Sequence, residues 1–131
     1  MTVILLCVLA AALLPIVCAG IAKREGFGRP RREGGYDNHA PREWLARQGG
    51  LSVRANAAQA NSFEALPFFI GAIAIALPAG APLATLQGLA LAWVLLRVAY
   101  VLCYLGDRPL ARSLVWIAAF AVNVAILLSA L

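Results

Sequence analysis

The chain is 131 residues long, 63% hydrophobic and only 13% charged, with a mean hydropathy of +0.83. An ordinary soluble domain is about 45–50% apolar and about 25% charged, so the composition excludes a soluble globular domain, and the length admits a single domain. The net charge of +5 would suit a nucleic-acid binder if it were spread over a surface. It is not: every charged side chain lies between Lys23 and Glu64 or between Arg97 and Arg112. Charge confined to two windows of an apolar chain marks an integral membrane protein, and no nucleic-acid partner is expected.

A bilayer core takes roughly 20 consecutive, mostly apolar residues per helix. Four stretches qualify in chain order. The first, about 3–22, and the last, 114–131, carry no charge; 57–77 carries Glu64 alone and 83–105 carries Arg97 alone. The connection from Pro78 to Pro82 and that from Gly106 to Arg112 are so short that the helices they join must be antiparallel neighbours. No span alternates with a two-residue period, which argues against a β-barrel. The predicted fold is all-α, a membrane-embedded four-helix bundle in one domain spanning residues 1–131. The first stretch reads as a retained anchor rather than a signal peptide, because its cations, Lys23 and Arg24, follow the apolar run. Cys18 lacks the small preceding residue that a lipidated cysteine requires.

The long loop, 23–50, with the start of the second span carries eight cations: Lys23, Arg24, Arg29, Arg31, Arg32, Arg42, Arg47 and Arg54. Arg108 and Arg112 lie in the last connection, and the turn between spans two and three has none. The positive-inside rule therefore places the two charged loops in the cytoplasm and both termini on the other side. The loop is rich in glycine and proline, which opposes a packed subdomain. Its first part, 26–35, reads as flexible, whereas Pro41 opens a helical turn and Trp44 suits the headgroup level. Contact with anionic lipid headgroups or an anionic ligand is open to this loop. Cys7, Cys18 and Cys103 all lie within spans without paired spacing, so small apolar packing is their expected role. His39 stands alone, and no metal site is expected.

Ionisable groups inside a span are costly to keep and by default mark a site. Arg54, Asn61 and Glu64 fall on one face of the second span, and Arg97, Tyr100 and Tyr104 on one face of the third. Counted from the Pro-rich turn, Glu64 and Arg97 both lie roughly 20 Å deep at 1.5 Å per residue. An ion pair between them is the economical expectation. Such a pair can serve register alone, but Asn61, both phenols, Arg54 and Arg112 gather toward the same end, which points to a site for a polar ligand. Pro67 removes the hydrogen bond owed to the Phe63 carbonyl and predicts a kink beside Glu64. Gln59 and Asn123 read as interhelical hydrogen-bonding groups, and spans one and four as lipid- or helix-facing surface.

At these residues the chain resembles the MAPEG family, the membrane-associated proteins of eicosanoid and glutathione metabolism. The string RANAAQANSFEALPFF (Arg54 to Phe69) is similar to the family's second-helix signature. RVAYVLCYLGDRPLARS (Arg97 to Ser113) resembles the third helix and following loop of its glutathione-using members. The closest pattern is that of bacterial, microsomal-glutathione-transferase-like members. The resemblance implies a homotrimer in the bacterial inner membrane, holding glutathione as co-substrate between subunits. It further implies that Asn61 and Glu64 bind the peptide's polar groups, that Arg97 anchors Glu64, and that Tyr100 and Tyr104 contribute hydroxyls. Arg112 and Ser113 match the catalytic arginine–serine pair, Lys23 a cation lent by the neighbouring subunit, and Arg54 a signature cation.

Glutathione offers two carboxylates and an ammonium, which suit arginines and a carboxylate. A guanidinium beside its thiol favours the thiolate. The implied activity is that of a glutathione transferase or peroxidase acting on hydrophobic electrophiles or lipid hydroperoxides from the surrounding membrane lipids. Ala57 and Ala60, however, occupy turns where glutathione-using members carry a basic or imidazole residue. They motivate the alternative of a non-catalytic member that binds lipid or a partner membrane protein.

Overall fold

The computed structural model describes residues 1–131 and is helical, without a strand. Helix α1 runs Thr2–Lys23, a six-residue α2 covers Pro41–Ala46, and α3 runs Gly50–Ala76. Helices α4, Leu83–Leu105, and α5, Pro109–Leu128, complete the chain. Three of these, α1, α4 and α5, are long and apolar enough to cross a bilayer. At 27 residues α3 is the longest, but its first fifteen residues include Arg54, Gln59, Asn61 and Glu64.

Two helices reach further than their apolar runs. α3 begins at Gly50 and α5 at Pro109, several residues before lipid-compatible sequence begins. Apolarity reports what a side chain can face, whereas a helix continues as long as its backbone bonds do. Proline at the first position of α5 loses nothing there, since that N–H has no intrahelical partner. Pro67 likewise does not interrupt α3, which continues to Ala76.

α3 and α4 form an antiparallel hairpin, and α1 and α5 each pack against both of its helices. The hairpin turn is built by Gly80 at φ 92°. The Ala81 N–H donates to the Ala76 carbonyl at 3.1 Å and the Gly80 N–H to that of Leu77 at 3.3 Å, which closes α3 with a left-handed cap. The end of α4 repeats the pattern: Asp107 is left-handed at φ 54°, and the Arg108 N–H donates to the Cys103 carbonyl at 2.9 Å.

The core centres on Phe69 of α3 and Trp93 of α4, whose rings stack with centroids 3.9 Å apart. Around them lie Ile4, Leu86, Ile126 and the alanines Ala11, Ala72, Ala76, Ala90 and Ala119. Lipid tails are as apolar as leucine, so helix association in a bilayer depends on close packing, and small residues permit it. The large apolar side chains instead point outward, among them Leu5, Leu9, Leu13 and Ile16 of α1 and Leu91, Leu95 and Leu102 of α4. A smaller cluster of Cys18, Ala58, Tyr100 and Val101 ties α1 to the other end of the hairpin. The three cysteines are free thiols, with Cys7 and Cys18 buried.

The loop corrects two expectations. Residues 26–35 are wound into a compact cap rather than left open, with short 3₁₀ turns at Arg24–Gly26 and Arg31–Glu33. Trp44 is buried at its centre, not presented to headgroups. Its Nε1–H donates to the Gly34 carbonyl at 3.1 Å, and its ring meets Tyr36 edge-on at 5.3 Å. Tyr36 in turn meets Phe27 at 5.7 Å and sits 4.8 Å beneath the Lys23 ammonium. The reason is steric. A Cβ at Gly26 would collide with the Trp44 ring, and one at Gly35 with the Arg29 carbonyl, so these glycines supply space rather than freedom.

Gly35→Ala should open this cap and speed trypsin cleavage after Arg31 and Arg32 several-fold in detergent. Gly49→Ala, where nothing lies near a Cβ, should leave the cleavage rate at the parental value.

Candidate functional site

Arg97 is buried in the hairpin with 2% of its surface exposed. Its Nη2 donates to Asn61 Oδ1 at 3.0 Å and to Ser62 Oγ at 3.4 Å. Asn61 passes the contact on, its Nδ2 donating to Glu64 Oε2 at 3.3 Å. Ser62 donates its own proton to the Ala58 carbonyl at 2.8 Å, which leaves its oxygen free to accept. The guanidinium also lies 4.4 Å from the Tyr100 ring centroid and 5.9 Å from that of Trp93.

The expected ion pair between Glu64 and Arg97 is therefore not formed directly. The only ion pairs are three on the loop: Arg24–Glu25, Arg31–Asp37 and Arg32–Glu33. Asn61 lies between the two charges because it is one turn before Glu64 and nearer to the guanidinium. Its amide holds both an acceptor and donors, so it serves both neighbours at once. Glu64 itself is exposed at the rim of the hairpin. Ser62, the buried second acceptor, went unread because a serine is unremarkable beside an asparagine and a glutamate.

A groove of about 290 Å³ lies beside this relay, lined by Asn61, Tyr100, Arg112, Ser113, Trp116 and Ile117. Both motif segments thus meet at Asn61. Tyr104 packs edge-on against Tyr100 at 5.7 Å, and its ring carries the Arg112 guanidinium at 4.4 Å. The Ser113 hydroxyl donates to the Pro109 carbonyl at 3.1 Å. Two candidate residues lie elsewhere. Arg54 Nε donates to the Leu105 carbonyl at 3.1 Å, closing the end of α4, and Lys23 rests on Tyr36 in the cap.

A second cavity, about 170 Å³, runs between α3, α4 and α5. Asn61, Glu64 and Arg97 border it with Ala65, Phe68 and Trp93, and α5 contributes Trp116, Ala119, Phe120 and Asn123. The fourth span, read as lipid- or helix-facing surface, thus also lines a cavity. Trp116 and Phe120 stack at 5.6 Å, and Phe68 meets Phe120 at the same distance. The signal was present: Trp116, Phe120 and Asn123 recur at four and three residues, one face of a helix. No three His, Cys, Asp or Glu side chains gather as a metal site would require.

A helical membrane protein with a polar relay and an arginine-edged groove on its central hairpin is thereby defined. The family profile described as "MAPEG family" matches residues 3–131, and the chain belongs to that family of membrane proteins of glutathione and eicosanoid metabolism. Neither the curated proteins nor the solved structures include a match.

Asn61→Leu removes the group that serves both charges and should lower the unfolding free energy in detergent by about 1–3 kcal/mol, the cost of unsatisfied buried polar groups. Leu102→Ala, on an outward face, should change it by less than about 0.5 kcal/mol.

Proposed function

We propose that the chain is a membrane-bound glutathione transferase or peroxidase that works as a homotrimer in a bacterial inner membrane. In this reading four helices cross the bilayer, the charged loops face the cytoplasm and both termini lie outside it. The observation that carries the proposal is the single groove edged by Asn61, Tyr100, Arg112 and Ser113, where two separated sequence segments converge on one polar opening. Family membership supports glutathione as the co-substrate.

The residues present fit that tripeptide. Glu64 is a carboxylate in no ion pair and open to its ammonium, and Asn61 donates to it from one side. Arg112 is a guanidinium for a carboxylate or for the thiol. Within one chain Arg54 and Lys23 are engaged elsewhere, so Lys23 would serve a neighbouring subunit's site. The exposure of Glu64 supports the trimer: facing lipid, a carboxylate is costly to keep, and a subunit packed over α3 removes that cost.

A free thiol ionises near pH 8.5, and Arg112 favours its thiolate by charge. Tyr104, beneath the guanidinium, holds it in place, and the Ser113 hydroxyl would turn its proton from the Pro109 carbonyl to donate to sulfur. In conjugation the thiolate attacks an electrophilic carbon, the new C–S bond forms, and a leaving group such as chloride departs with its electron pair. In peroxide reduction the sulfur takes the terminal hydroperoxide oxygen, the O–O bond breaks, and the alkoxide leaves as an alcohol after gaining a proton. A second glutathione then displaces that oxygen as water and leaves the disulfide.

Purified protein in nanodiscs should bind glutathione at millimolar concentration, with thiolate absorbance appearing in the ultraviolet. Arg112→Ala should lower conjugation of a chloronitrobenzene by about tenfold or more, about 1.4 kcal/mol of barrier. Absence of glutathione binding in both detergent and nanodiscs would overturn the proposal. One observation favours a second reading: Arg54 is spent on Leu105, and Ala57 and Ala60 place no cation beside Asn61. A non-catalytic binder of lipid or of a partner membrane protein would then be found with an acyl chain or partner co-purified and no glutathione bound.

A further inference from the structure

The cavity between α3, α4 and α5 has polar groups at both ends and aromatic walls between them. At one end stand Asn61, Glu64 and Arg97, and at the other Asn123. Asn123 lies fourteen residues into α5 from Pro109, about 21 Å along the helix, whereas Arg97 lies eight residues before Leu105, about 12 Å from the same end of the bundle. The two are thus roughly 9 Å apart along the axis. Phe68, Trp93, Trp116 and Phe120 line the interval.

Asn123 is 3% exposed, its side chain makes no hydrogen bond, and its Oδ1 is buried without a partner. Arg97 Nε, at the other end, is also without one. Leaving a buried amide unpaired costs about 1–3 kcal/mol, and in a bilayer interior water does not make up the loss. Packing alone does not account for the asparagine, because a leucine of similar size would line the same wall at no polar cost. The lining narrows the occupant: Phe68, Trp93, Trp116 and Phe120 present ring faces and edges, and the cavity opens at the bundle surface beside the partly exposed Trp116 and Phe120. Its volume of about 170 Å³ gives one ring room between them, as an engineered cavity of about 150 Å³ does for benzene.

We propose that this cavity holds a monocyclic aromatic second substrate and that Asn123 is its specificity-determining residue, hydrogen-bonding a polar ring substituent at the end remote from Arg97. Oδ1 is enclosed, so the amide acts through Nδ2, donating to a hydroxyl, carbonyl or nitro oxygen on the ring, and it discriminates polar-substituted rings from bare ones. The substituent points away from Arg97, and the opposite edge of the ring faces Asn61, which borders both this cavity and the groove. As a second-substrate site this rests on the glutathione reading; as a binding site it does not.

Fluorine NMR on the full chain in lipid nanodiscs, with empty nanodiscs as the partition baseline, tests it with 4-fluorophenol and fluorobenzene. The phenol should bind about tenfold more tightly than fluorobenzene, the worth of one net hydrogen bond. Asn123→Leu should erase that preference while fluorobenzene still binds. Ala119→Leu, which projects into the cavity, should abolish binding of both, and Asn123→Ser should keep part of the preference if the leucine variant does not fold. Equal affinity for the two probes, a preference that survives in Asn123→Leu, or binding unaffected by Ala119→Leu would each overturn the proposal. Glutathione titrated into the same samples separates the two readings. Probe discrimination without glutathione binding overturns the enzyme alone, and glutathione binding without discrimination overturns the ring site alone.

Discussion

The structure depends on keeping one guanidinium charged in a place where charge is expensive. Arg97 lies on the central helix hairpin, buried, with its Nη2 answered by an amide and a hydroxyl from α3 rather than by a carboxylate. A direct buried ion pair gains Coulomb energy but demands the desolvation of both ions. Here only one ion is fully enclosed, and the carboxylate stays at the rim, joined through Asn61. That arrangement locks the register of α3 against α4, because a one-turn slip toward the start of α3 would leave the guanidinium facing Ala57 and Ala58, and the opposite slip would enclose Glu64 along with it. The groove, the aromatic cavity and the outward carboxylate are all placed by that register.

The remaining charge has a different task. The loop cations are solvated or engaged in local contacts, and one of them, Lys23, rests on an aromatic ring that belongs to a packed cap. The cap closes over the end of α1, and the glycines that allow it also bring Trp44 and Tyr36 into edge contact. A basic loop can thus hold a defined shape beside a membrane without a hydrophobic core of its own, provided ring packing replaces helix packing.

Much of the architecture was legible in the residues. α4 could be bounded to the residue because Pro82 and Gly106 punctuate an unbroken apolar run. The starts of α3 and α5 could not, since their first turns are polar and only hydrogen bonding marks them. Depth counting placed Glu64 and Arg97 at one level but could not resolve which side chain lay between, because a one-turn difference is smaller than the reach of an arginine. The cap was misread because composition reports how freely a glycine moves, not what fills the space that its missing side chain leaves. The role of α5 was visible as a stripe of Trp116, Phe120 and Asn123, but an aliphatic background made that helix look uniform.

Pro67 gives the outer face of α3 an unusual valence. Having no N–H, it leaves the Phe63 carbonyl without its ordinary helical donor, and the next residue is the exposed carboxylate of Glu64. Two acceptors therefore stand side by side at the exposed rim of α3, and Asn61 can satisfy only part of that demand. The strip is electron-rich and proton-poor, so anything that settles against it within the membrane, whether a neighbouring helix or an ammonium group, must come with hydrogens to give.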